Sequence, residues 1–159
     1  MDVATSGLQE PVDPDLDDVG GGAVHLRAGS ILLVWLGGTL GTGIRYLITS
    51  FVPRPHQLPL AILMINIVGA FLLGALIERL AAGGPDGGAR HRIRLTAGTG
   101  LLGGFTTYSA LAMDSVSLLN GSRPATGLAY ALGTLMLGAA ASRLGIGAGR
   151  LGQQRREKR

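Results

Sequence analysis

The sequence predicts an all-α membrane protein with four transmembrane helices, the third broken at mid-membrane. Three observations carry this. Four apolar segments, about Ser30 to Val52, Leu58 to Ala82, Ile93 to Leu119 and Pro124 to Gly147, each offer the roughly 20 residues that a bilayer crossing needs. None shows the polar stripe that each helix of a soluble bundle requires. Inside the third, Gly103-Gly104-Phe105 runs straight into Thr106-Thr107-Tyr108-Ser109. Each glycine weakens a helix by roughly 1 kcal/mol relative to alanine. Backbone freed by a break here must be buried in protein or line a watery cavity, because lipid cannot hydrogen-bond it. Broken helices of this kind build ion sites in membrane transport proteins, so the segment points to ion conduction.

The flanking segments differ in kind. Residues 1–28 carry Glu10, Asp13, Asp15, Asp17 and Asp18, two prolines and a glycine run, which reads as a disordered acidic tail. It lacks the positive leader of a secretory signal and is expected to stay attached. Residues 29–147 form the four-helix channel domain, interrupted by a Gly/Pro/Arg loop over residues 83–94. Residues 148–159 form a basic tail.

Composition agrees. Of 159 residues 47% are hydrophobic, 15% are charged and 27 are glycine, the residue that lets membrane helices approach closely. There is no cysteine, which excludes disulfides, thiolate chemistry and cysteine metal sites. The net charge of +4 sits in short flanks between apolar runs, which suits a membrane protein better than a nucleic-acid binder. With four spans, eleven of the fourteen Lys and Arg residues fall on the side of the termini and the second loop. Two, Arg54 and Arg123, fall on the other side, and Arg45 lies within the first span. The positive-inside rule then places both termini in the cytoplasm of a plasma-membrane protein.

Polar groups inside spans are costly and therefore informative. Asn66 lies mid-way along the second span on a face with Gly69, Ala70, Leu73 and Gly74. Its amide either donates to an anion or makes an interhelical hydrogen bond that holds the bundle. Tyr130 and Thr134 lie four apart on the fourth span, with Gly138 and Ser142 continuing the stripe. This is either a track of hydroxyl donors or a small-residue packing seam. Tyr108, Leu111 and Ser115 share a face of the third span, with Asp114 beside them, near an end of its helix. An aromatic ring has a positive edge that can meet a small anion, or it simply fills space. Arg45, after Gly41-Thr42-Gly43-Ile44, either snorkels to the interface or raises the anion concentration at a pore mouth. The preceding glycines and threonine favour the second. The glycines of residues 37–43 lack the lysine of a phosphate loop. No metal cluster or nucleophile–base pair is visible, so the chain is not expected to be an enzyme. His25, His56 and His91 all fall in flanks or loops.

Together these residues resemble the CrcB/Fluc family of fluoride channels. The matching runs are Gly37-Gly38-Thr39-Leu40-Gly41-Thr42-Gly43-Ile44-Arg45-Tyr46, Asn66-Ile67-Val68-Gly69-Ala70-Phe71-Leu72-Leu73-Gly74, and residues 98–109 from Gly98 to Ser109. The similarity covers all four spans and excludes both tails. It implies an antiparallel, dual-topology-type dimer with two narrow fluoride pores. It also implies a structural sodium ion at the dimer interface, held by backbone carbonyls of Gly103 and Thr106. The implied fluoride path takes in Asn66, Thr107, Tyr108 and Ser109, then Leu111, Tyr130 and Thr134, with Arg45 at the mouth. Tyr108 and Leu111 fall where the family carries two pore-lining phenylalanines. Tyrosine keeps the ring edge and adds a hydroxyl; leucine has no ring, and Gly138 lacks a hydroxyl that some relatives supply. The implied role is passive export of cytoplasmic fluoride, which reduces its toxicity.

Relatives that insert in both orientations need little charge bias, whereas this chain has eleven cations against two. A fixed orientation is expected, with the dimer completed either by a second copy or, as the bias favours, by an oppositely oriented paralogue. Two other readings compete. A small proton-coupled multidrug exporter needs a carboxylate on an early span, and the first span has none. A non-conducting membrane assembly subunit explains the glycines but not the joint presence of Asn66, the break and the Tyr130/Thr134 stripe.

Overall fold

The computed structural model describes residues 28–53, 58–82, 88–121 and 123–157, and among these every regular element is a helix. The expected acidic tail lies outside the described residues except for Ala28. Helices α1 (Ala28–Phe51), α2 (Leu60–Ala81) and α6 (Pro124–Glu157) are continuous, and each contains a stretch long and apolar enough to cross a membrane. The third expected span is assembled from pieces. Short α3 (Ala89–Ile93) passes into a π-helical stretch (Arg94–Leu102), then α4 (Gly103–Phe105), a break, and α5 (Tyr108–Asn120).

Two boundaries differ from expectation. Residues 89–94, expected in a loop, are helical: the chain enters α3 from Gly88 at φ +57°, a conformation that favours glycine. The polar sequence Ala89-Arg90-His91-Arg92 gives no apolar signal of this turn. At the other end α6 runs on through residues 148–157, within the expected basic tail.

Glycine sets how the helices meet. A Cβ at Gly41 would strike the Leu101 carbonyl and come within 2.8 Å of the Phe105 nitrogen, so α1 lies backbone to backbone on the third segment. Gly37 faces Thr96 and Leu101 in the same way, which makes the two elements run parallel. Gly145 abuts the Phe71 carbonyl, and Gly149 lies against Ala75 and Glu78, so α2 and α6 are also parallel. The third segment runs antiparallel to α2: Leu111 packs with Ile62, Thr106 meets Gly69, and Leu76 reaches Gly98. The start of α1, the start of α3 and the ends of α2 and α6 therefore lie at one end of the molecule.

The core is small and split by the break. Ile62, Leu111, Leu118 and Tyr130 form one buried cluster, and Ile65, Leu102 and Phe105 the other. Large apolar side chains cover the outside, Trp35, Phe51, Met113 and Met136 among them, as suits a surface that meets lipid or another membrane helix. At the end where α2 and α6 finish, the Arg150 Nε donates to Glu78 Oε1 at 2.8 Å. The arginine side chain is 64% exposed, and exposed pairs contribute little. Glu78→Gln is expected to lower stability by about 1 kcal/mol or less, read as a small shift in thermal melting in detergent.

Candidate ion site at the broken helix

The break occupies Thr106 and Thr107, both extended, with ψ of 158° and 123°. Asn66 fastens it. Its Nδ2 donates to the Thr107 carbonyl at 3.1 Å, and the Thr107 N–H donates to Asn66 Oδ1 at 2.9 Å. One side-chain amide thus replaces a backbone partner in both directions. This is the interhelical hydrogen bond considered from sequence, and it leaves the second N–H of the amide beside a groove. Gly69 lets α2 come this close, since a Cβ there would strike the Thr106 methyl.

The break redirects the donors that a continuous helix would send to specific carbonyls. The Thr107 N–H, which would pair with Gly103, goes to Asn66. The Ala110 N–H, which would pair with Thr106, goes to the Thr107 hydroxyl at 3.3 Å. The Gly104 carbonyl accepts from the Thr42 hydroxyl on α1 at 3.3 Å. The helical donors that Gly103 and Thr106 would receive are thus spent elsewhere, and carbonyl oxygens near such a break are the donors that hard cations prefer. On the far side of the break α5 begins, capped by the Thr107 side chain, and presents the positive end of its dipole. The interruption therefore offers carbonyls on one side and N–H groups on the other, the arrangement that serves cations and anions respectively. Thr107→Val removes the cap and the Thr107–Ser109 hydroxyl contact of 3.2 Å. It is expected to cost about 1 kcal/mol, visible as a lowered melting temperature with the helical content retained.

A groove of about 370 Å³ runs between α2, the break and α6. Asn66, Thr106, Thr107, Tyr108, Leu111 and Thr134 line it. The whole face foreseen on α2, apart from Gly74, lines it as well; Gly74 instead packs against Ser142 of α6. Tyr108 is 79% exposed, whereas Leu111 is buried, so the two positions of the expected ring pair have different surroundings. The Thr134 hydroxyl donates to the Tyr130 carbonyl at 2.7 Å and must give up that bond to serve an anion. Tyr130 lies one turn away in the core, its hydroxyl 3.5 Å from the Pro59 carbonyl. Ser109 reaches the Thr107 hydroxyl and does not line the groove.

Arg45 lies apart from these residues. It lines a second cavity, of about 540 Å³, together with Thr42, Tyr46, Thr49, Asp114 and Ser117. Its Nε is buried without a hydrogen-bond partner, so a cationic N–H is held at the cavity wall. Asp114 was expected near a helix end and instead occupies the middle of α5, because the break restarts the helix at Tyr108. It shares this cavity with Arg45. Thr42, read from sequence only as a neighbour of Arg45, also serves the break through its bond to Gly104. Its only signal is a hydroxyl between two glycines on a helix that packs closely.

The fold and the site define a multi-pass membrane protein built around an interrupted helix whose backbone bonds to a side chain of a neighbouring helix. Residues 32–146 match the family model described as CrcB-like protein, Camphor Resistance (CrcB). The chain belongs to this family. It is 48% identical over 126 residues to Fluoride-specific ion channel FluC 2 of Leifsonia xyli subsp. xyli, covering 79% of this chain and 87% of that one. It is also 48% identical over 108 residues to Fluoride-specific ion channel FluC 1 of Cutibacterium acnes, covering 67% and 76%. Identity to Fluoride-specific ion channel FluC 2 of Nocardia farcinica is 37% over 122 residues, covering 76% and 84%.

Proposed function

We propose that this chain is a subunit of a fluoride-selective channel that passively exports cytoplasmic fluoride. The observation that carries the reading is the break at Thr106–Thr107, fastened by Asn66 beside a groove, in a member of a family whose similar relatives bear that activity in their names. Fluoride is small and strongly hydrated, so it must trade water for several close donors. The second N–H of Asn66, the Tyr108 ring edge and hydroxyl, and the hydroxyls of Thr107, Ser109, Tyr130 and Thr134 form that inventory. None is a fixed cation, so binding stays weak enough for release. Leu111 provides an apolar wall where a second ring would stand. Arg45 gathers anions at the mouth.

The segmented third element acts as the fourth crossing, and the subunits pair antiparallel. The Gly103 and Thr106 carbonyls would hold a sodium ion between the subunits, and its fixed positive charge would tie the two breaks together. One chain offers too few such oxygens for a hard cation and a twofold partner doubles them. The eleven-to-two charge bias supports one orientation in the cell membrane, termini cytoplasmic, with an oppositely oriented paralogue as partner. The numbers 2 and 1 in the relatives' names support such pairing. Tags at both termini and in a loop, labelled from each side, test the orientation, and equal labelling from both sides contradicts it.

Function is tested by expression in a fluoride-sensitive bacterium, alone and with the paralogue. Growth in fluoride is restored on this account. Failure of both combinations, with the proteins present in the membrane, contradicts it and favours the assembly-subunit reading.

A further inference from the structure

We infer that the acidic N-terminal segment docks on the arginine face at the end of its own helical domain. Of the ten carboxylates in the chain, six, Asp2, Glu10, Asp13, Asp15, Asp17 and Asp18, precede residue 19, and no lysine or arginine stands among them. The helix contacts place the start of α1, where this segment joins, at the same end as the start of α3 and the ends of α2 and α6. Arg79, Arg90, Arg92, Arg94 and Arg150 collect there, and all but Arg90 are exposed. Their acidic neighbour among the described side chains at this end is Glu78, which pairs with Arg150. The face is rich in arginine, and the chain carries a segment of complementary charge attached at its edge.

Reach is sufficient. Between Asp18 and Ala28 lies the glycine-rich stretch Val19-Gly20-Gly21-Gly22-Ala23-Val24-His25-Leu26-Arg27. Glycine-rich segments of this length span about 17 Å on average. Packed helices stand about 8–10 Å apart, so the arginines of neighbouring helices are within range. Tethering holds the segment at millimolar effective concentration, enough for a weak multi-charge contact. The contact is electrostatic and must respond to salt, because the screening length falls from about 30 Å at 0.01 M to about 3 Å at 1 M. The proposal concerns this end face whatever ion the chain carries.

The chain has no cysteine, so two engineered ones report cleanly. Leu16→Cys and Ala89→Cys are spin-labelled in the full chain, diluted with unlabelled chain, and placed in phosphatidylcholine nanodiscs. A short-distance population is expected at about 0.01 M salt and its loss at about 1 M. The same loss is expected at low salt when Asp13, Asp15, Asp17 and Asp18 are changed to Asn, substitutions outside every described helix. In discs containing phosphatidylglycerol the short population shrinks, since anionic headgroups compete for the same arginines. A distance distribution that ignores both salt and the Asn substitutions in the neutral discs overturns the proposal, and with it leaves the arginine face to anionic lipid alone.

Discussion

Asn66→Ala is expected to reduce fluoride transport by at least about 100-fold and to destabilise the fold by about 3 kcal/mol. Both effects come from the same two hydrogen bonds. The side chain accepts from the Thr107 N–H and donates to the Thr107 carbonyl. Alanine leaves both backbone groups without partners at a half-buried break, and each orphaned group costs about 1–3 kcal/mol. An equal rise in the barrier to ion passage corresponds to the transport loss, since 1.36 kcal/mol is tenfold in rate. Thr107→Val tests whether the effect belongs to Asn66. It keeps both backbone bonds and removes the Thr107 hydroxyl with its α5 cap and its contact to Ser109, so it should be markedly milder. Electrode-monitored efflux together with thermal melting separates the two. Equal transport by wild type and Asn66→Ala would mean that the amide serves neither the pore nor the break.

Gly41→Ala is expected to be the more damaging for the fold, although it adds a single methyl group. That methyl would strike the Leu101 carbonyl and approach the Phe105 nitrogen, and neither backbone group can rotate away. The third segment would have to move as a unit, shifting the π-helical stretch and the break together. Overpacking typically costs 1–3 kcal/mol and more when backbone must shift, so about 3 kcal/mol or above is expected. Gly43→Ala is the control. It lies on the same helix with nothing within 4 Å of the added methyl. Relief of glycine's helix penalty makes it neutral or stabilising by up to about 1 kcal/mol. Melting of both variants in detergent, with efflux on those that fold, reads the contrast. Equal effects at 41 and 43 would contradict the close packing of α1 on the third segment.

The legible parts of this chain are those written in residue type. The apolar spans follow from composition, and the break follows from Gly-Gly-Phe-Thr-Thr, which places glycine and hydroxyl groups where lipid tolerates neither without internal partners. The face of Asn66, Gly69, Ala70 and Leu73 follows from helical spacing, and it lines the groove beside the break. Other features depend on contacts between distant segments and leave no local trace. The π-helical stretch Arg94–Leu102 has no distinct composition; it widens the helix where it lies on the glycines of α1. Thr42 serves the break through a bond across 62 positions of chain, which spacing along α1 cannot reveal. Asp114 was misplaced because a helix count that ignores the break runs on where the structure starts afresh at Tyr108.

Ion efflux from liposomes containing the purified chain, with and without its candidate paralogue, reads fluoride and chloride in parallel. The account predicts rapid release of fluoride with chloride retained once the partner is present. Fluoride held inside in both preparations, with the proteins folded and inserted, would contradict it.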